Sequence, residues 1–170
     1  MTRGLTAMSE QQIAPADVPS DRSPALDRLD ALVGEWDTAA IFDAGFFGPG
    51  SPEIVGRGHT TFSWMEGRHF LVQTYTNEHP DAPDGMCVIG LSDRPEVFVQ
   101  HLYDSRGAAR DYLMTLEGGE LRIWRDDPAF AQRYRATISA DGKTIEGAWE
   151  ASENGGPWRH DFTLVYTRVA

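Results

Sequence analysis

From Glu35 to the end of the chain, apolar residues recur with a period of two, in ten short segments separated by turn residues. Alternation of this kind puts successive side chains on opposite faces, the mark of a β-strand with one face buried. The segments cover 35–43, 54–65, 68–77, 86–92, 96–104, 108–117, 120–126, 131–139, 143–152 and 158–169. Glu66-Gly67, Ser105-Arg106-Gly107, Gly118-Gly119, Asp141-Gly142 and Asn154-Gly155-Gly156 lie between them, links of the length and type that join antiparallel neighbours. The expected fold is all-β, an up-and-down meander of about ten antiparallel strands. An open sheet of that kind would leave two unpaired edges, so the meander is expected to close into a barrel. The longer links, 44–53 and 78–85, carry Gly and Pro and are expected over a barrel mouth.

One short helix precedes the strands. Ser23 and Pro24 supply an N-cap and a preorganised first position, Leu26, Leu29, Leu32 and Val33 follow at helical spacing, and Gly34 ends the helix. Residues 1–22 show no periodicity and too little apolar surface to offset the entropy of ordering, so they are expected to form a mobile tail. A single domain over 24–170 suits a chain of 170 residues. The tail lacks the apolar run of a secretory leader, and no stretch approaches the roughly eighteen apolar residues of a membrane span. A cytoplasmic location is expected. A net charge of -11 repels phosphate backbones and anionic lipid, which argues against nucleic acid and membrane as partners and leaves a small molecule. One cysteine, Cys87, excludes an intramolecular disulfide and a multi-cysteine zinc site. The oligomeric state is left open, a homodimer included.

Gly34-Glu35-Trp36, just after the helix and opening the first strand, resembles the G-x-W motif of lipocalin-like barrels, the calycin superfamily. Those barrels also carry an Arg near the end of the last strand that packs over the Trp ring, and Arg168 stands at that position. A guanidinium stacked on an indole closes one end of a barrel by cation-π and apolar contact. Ten strands are more similar to the fatty-acid-binding and nitrobindin branches than to the secreted lipocalins, and the chain also looks like an uncharacterised bacterial family of this shape. The resemblance implies a ligand-binding barrel with Trp36 and Arg168 at its closed end.

Starting from that pair, strand alternation assigns the inner face. On the last strand His160, Phe162, Leu164, Tyr166 and Arg168 share it, and on the ninth Ile145, Gly147, Trp149 and Ala151. Elsewhere the expected inner sets are Val97, Val99, His101 and Tyr103, then Arg110, Tyr112, Met114 and Leu116, then Gln132, Tyr134, Ala136 and Ile138. Aromatic rings with a few polar groups suit a small, mostly apolar ligand. The expected ligand-binding residues are His160, Phe162, Tyr166, Trp149, Tyr112, Tyr134, His101, Tyr103 and Arg110.

Three functions compete. The first is binding of a small apolar or aromatic molecule without chemistry. The second follows from the nitrobindin resemblance: a last-strand histidine there ligates ferric haem from within the cavity, and His160 stands eight residues before the closing Arg168. The third is a small-barrel enzyme of cyclase or isomerase type, with His101, Tyr103 or Arg110 as acid, base or anion clamp. An inward Arg in a fatty-acid-binding type of barrel receives a carboxylate, a role open to Arg110. His101, Tyr103 and Asp104 also read as the hydrogen-bonding close of the Ser105-Arg106-Gly107 turn. His59, His69 and Glu66 could be imagined as a zinc set, but pairing around Glu66-Gly67 puts 64 opposite 69 and His59 far down the strand. No metal site is expected. Cys87 reads as a small buried hydrophobe. No G-x-S-x-G, P-loop or dinucleotide fingerprint occurs, and Phe46-Phe47 is the one candidate apolar surface patch.

Overall fold

Ser23 accepts a hydrogen bond from the Ala25 N–H through its side chain, and Pro24 then opens a nine-residue helix, Pro24–Leu32. This helix is 3-10 rather than α. Leu26, Leu29 and Leu32 recur at intervals of three, the period of a 3-10 helix, and all three side chains are buried on one face. Val33, expected within the helix, is its extended C-cap. The computed structural model describes residues 21–169. The tail expected over residues 1–22 therefore lies outside the described residues except at its last two positions. Arg22 is held there: its Nε donates to the Arg68 carbonyl at 2.8 Å and its guanidinium lies 4.8 Å from the Trp64 ring centre.

Ten strands follow: β1 (Gly34–Phe42), β2 (Ile54–Trp64), β3 (Leu71–Asn77), β4 (Gly85–Leu91), β5 (Phe98–Asp104), β6 (Ala109–Glu117), β7 (Glu120–Arg125), β8 (Phe130–Ile138), β9 (Thr144–Glu153) and β10 (Arg159–Arg168). Each pairs antiparallel with the next, and β1 pairs with β10, so the sheet is a closed barrel. The all-β fold and the short N-terminal helix agree with the alternation read along the chain. One turn is longer than its residues suggest. The β2–β3 hairpin turns through residues 66–69, with Arg68 at a φ of 56° and Trp64 opposite Leu71, so His69 belongs to the turn.

The lower half of the barrel is packed solid. Leu26, Leu29 and Leu32 join Trp36, Phe62, Leu71, Ile89, Phe98, Met114, Leu116 and Ile145 in one buried cluster. Trp36 is fully buried and its indole N–H donates to the Leu32 carbonyl at 2.8 Å. Arg168 closes this end. Its guanidinium carbon lies 4.1 Å from the Trp36 ring centre, and its nitrogens donate to the carbonyls of Gly142 (2.9 Å), Val33 (2.7 Å) and Ala31 (3.0 Å). One side chain thereby ties the helix, β1, the β8–β9 turn and β10. Gly34 makes room for it: a Cβ there would sit 2.6 Å from Arg168 Nη1, on a backbone whose φ of +131° disfavours any side chain. Beside this floor Asp30 accepts from the Trp64 indole (2.7 Å) and from Arg68 (2.8 Å), and these partners, the Trp64 hydrogen bond foremost, hold its carboxyl below the usual carboxylate range.

Arg168→Met should therefore lower stability by about 3 kcal/mol, because the carbonyls of Gly142, Val33 and Ala31 lose a charged donor at once and the Trp36 ring loses its cover. Arg168→Lys should recover little of it, since one ammonium cannot span three carbonyls and stack on the indole. Urea unfolding midpoints of the two variants check this, and equal midpoints for Arg168→Lys and the parent would refute the closure argument.

Candidate functional site

Above the Trp36 level the side chains no longer fill the barrel. Positions facing the axis there carry Ala40 and Gly56 beside larger residues, and a cavity of about 430 Å³ remains. It opens away from the Arg168 floor, where His79, Ala82 and Pro83 of the link after β3 line its mouth. The link after β1 contributes indirectly: Phe46 and Phe47 pack on Phe42, a lining residue, with ring centres 5.1 and 5.3 Å away.

Two unlike walls face each other across this space. On one, β8, β9, β10 and β1 set Tyr134, Trp149, Phe162 and Phe42 in succession, because cross-strand partners share a face. Their rings follow one another at 5.1, 6.4 and 5.2 Å with interplanar angles of 22°, 30° and 36°. The other wall, from β2 to β5, presents Thr60, Gln73, Cys87 and Gln100. Gln132 on β8 continues the polar set: its Oε1 accepts from the Tyr112 hydroxyl (2.7 Å) and from Arg110 (3.1 Å).

The interior is polar without being charged. Burial pushes the hydroxyls of Tyr75, Tyr112, Tyr134 and Tyr166 above the usual phenol range, so all four stay protonated. Burial likewise pushes the Cys87 thiol up to about 12, against the opposing hydrogen bond from Gln100, and such a thiol is not a nucleophile. Charge sits at the mouth. Arg57, Arg106 and Arg110 line it together with Asp104, whose carboxyl the Arg106 hydrogen bond holds below its ordinary value.

The structure brings six of the expected ligand-binding residues to the cavity: Phe162, Tyr166, Trp149, Tyr112, Tyr134 and Arg110. His160, His101 and Tyr103 are not there. The register between β9 and β10 shifts between His160 and Phe162, and the extra residue, Asp161, turns His160 outward. Its Nδ1 meets Asp43 at 2.8 Å on the exposed surface and its Nε2 lies 3.3 Å from Thr163 Oγ1. A haem held from inside by His160 does not fit this arrangement, and the one histidine among the lining residues is His79 on the rim. On β5 the inner residues are Phe98, Gln100, Leu102 and Asp104, the opposite parity to that expected, so Val97, Val99, His101 and Tyr103 do not share the inner face. His101 instead pairs with Asp111 at 2.6 Å on the outer surface, and Tyr103 is half exposed. Asp104 closes the following turn by accepting from the N–H groups of Arg106 and Ala108. An acid and base pair of His101 and Tyr103 is thus removed from the cavity. His59 bonds Asp37 outside, well apart from the turn that holds His69.

Sequence reasoning turned Gln132 inward without counting it among the ligand-binding residues, and overlooked Gln73 and Gln100. A signal for Gln100 existed: a Tyr103–Ala109 pairing puts Gln100 opposite Tyr112, so an inward Tyr112 requires an inward Gln100.

With this geometry in hand, the chain can be compared with known proteins. A family model described as "Protein of unknown function (DUF1579)" matches residues 23–122, more than half of the chain. The chain belongs to the DUF1579 family. The matched segment runs from the helix into β7 and includes Gly34, Trp36 and the cavity residues Gln73, Cys87, Gln100, Arg110 and Tyr112. Among solved structures, the crystal structure of Rv2717c from M. tuberculosis is similar, with a TM-score of 0.62 and 17% identity, over 88% of this chain and 100% of that one. At that identity the likeness shows the fold of this DUF1579 chain and nothing of its ligand. No curated protein matches it.

Asp161 offers a test of the bulge. It is half-buried, and desolvation pushes its carboxyl above the usual range against the pull of Arg159 and His160. A raised folded-state value means that the ionised form destabilises the fold at neutral pH, and that this penalty fades as pH falls through the raised value. Asp161→Asn should accordingly raise the urea midpoint at pH 7, with the gain shrinking toward roughly pH 4. A gain that is the same at both pH values would show that burial of the charge is not its source.

Proposed function

We propose that this protein binds a small apolar or aromatic molecule inside its barrel, in the manner of a lipocalin-like carrier. One observation carries the reading: a cavity of about 430 Å³ walled on one side by the succession Tyr134, Trp149, Phe162 and Phe42. Its size falls in the range of small-molecule sites, and aromatic walls with a few placed polar groups are their usual composition. With the floor closed at Trp36 and Arg168, the ligand enters at the opposite end, lined by His79, Ala82 and Pro83. Arg110 at that end carries no carboxylate partner among the described residues, which suits a ligand with an anionic group directed toward the mouth.

Native mass spectrometry of the untreated full chain should show an adduct that disappears on unfolding. Leu102→Trp, which adds bulk to the cavity wall, should remove the adduct while leaving the thermal midpoint near that of the parent. Trp149→Ala should weaken binding of the same molecule about ten-fold through loss of one stacked ring. A bare chain mass, together with no fluorescence change on adding 8-anilinonaphthalene-1-sulfonate, would count against a binding cavity.

A further inference from the structure

The glutamines narrow the class of ligand. Gln73, Gln100 and Gln132 are 8%, 5% and 8% exposed, so each is more than nine-tenths buried, and each lines the cavity. Each has hydrogen-bond partners for only part of its capacity and turns the rest to the open cavity, so a ligand that displaces water there without replacing its hydrogen bonds incurs the cost of desolvating a carboxamide. Gln132 is the clearest. Two donors, the Tyr112 hydroxyl and the Arg110 guanidinium, converge on one end of its amide, and only the carbonyl oxygen can accept from both. The other end is therefore the NH2, and among the described residues it has no hydrogen-bond partner. Gln100 turns one end of its amide to Cys87 Sγ at 3.3 Å and leaves the other unpaired, while Gln73 stands beside the Tyr166 hydroxyl. Gln73 on β3 and Gln100 on β5 face the rings of Trp149 and Phe162 across the cavity, and Gln132 stands beside Tyr134 on β8, at the edge of the aromatic wall.

We propose that the ligand is a planar molecule, uncharged in its ring system, with hydrogen-bond donors and acceptors along one edge: a lactam, an imide or a fused nitrogen heterocycle of that kind. This rests on the ligand-binding reading above and specifies it. The ring system packs against the aromatic wall, and its polar edge meets amide groups that can each donate and accept. An acyl chain or plain aromatic hydrocarbon would fill the same volume and leave the Gln132 NH2 without a partner. A cationic ligand is disfavoured, because Asp104 is the one carboxylate among the lining residues and Arg106 already neutralises it.

The test uses the full-length protein and probes of matched size: isoquinolin-1-one and quinazoline-2,4-dione against naphthalene, with decanoate as the acyl-chain probe. Titration calorimetry should give at least ~10-fold tighter binding of the lactam or imide than of naphthalene, because a site built to hydrogen-bond rejects the analogue that cannot. Gln132→Met, close to isosteric, should abolish that preference by weakening the lactam and imide, with naphthalene bound at least as tightly as by the parent. Gln100→Met serves the same purpose if the first variant does not fold. Naphthalene or decanoate binding as tightly as the lactam, with both variants indifferent, would overturn this proposal and leave the cavity a binding site. Failure of all four probes to bind would overturn the proposal together with the reading it rests on.

Discussion

The guanidinium of Arg168 over the Trp36 ring is the contact on which the rest of the barrel depends. In an up-and-down meander every strand pair but one is a local hairpin, joined through a short link. The exception is β1 with β10, whose partners lie at opposite ends of the folded chain and whose pairing carries the largest loop-closure entropy. Arg168 acts where that cost falls. It faces Trp36 across the β1–β10 ladder and reaches beyond the sheet to carbonyls of the helix and of the β8–β9 turn. Closing the seam and capping the floor are one event, and they leave the barrel open at the opposite end alone.

With the floor sealed, the character of the upper barrel follows from side-chain size. Gly147 shows how tightly some positions are set: a Cβ there would lie 2.1 Å from the Arg135 carbonyl oxygen on the neighbouring strand. Ala40 and Gly56 hold open a region that Leu or Phe would fill, and the large side chains of the upper level gather on one wall as stacked rings. The polar residues opposite are amides, hydroxyls and one thiol. Burial keeps the tyrosines and Cys87 protonated, so a protein of net charge -11 encloses a neutral interior and shows the cavity its guanidinium groups at the rim.

Most of the architecture was legible because alternation is a local property. The ten strands, their order and, apart from the longer β2–β3 turn, the hairpin turns follow from residues within a few positions of one another, and the closing pair follows from Gly34, Trp36 and Arg168. The inner faces of β6, β8 and β9 were legible for the same reason. Those of β5 and of the start of β10 were not. Val97-Phe98-Val99 is apolar on both parities, so the segment alone does not say which face is buried, and pairing with β6 decides in favour of Phe98 and Gln100. At the start of β10 one extra residue shifts the register, and His160 changes face although Phe162, Leu164 and Tyr166 hold theirs.

The sequence by itself determined a ten-stranded antiparallel barrel closed by Trp36 and Arg168, with Phe162, Tyr166, Trp149, Tyr112 and Tyr134 turned inward. These depend on periodicity and on residue types that tolerate few environments. Only the tertiary structure decided that the upper barrel is hollow, that its lining joins an aromatic ladder to three buried glutamines, and that His160, His101 and Tyr103 stand outside it. Whether inward side chains meet or leave a space depends on strand register and barrel diameter, and a glutamine becomes a site residue only when neighbours from other strands use up part of its hydrogen bonding and leave the rest facing a cavity. Both are relations between residues far apart in the chain, which no local pattern encodes.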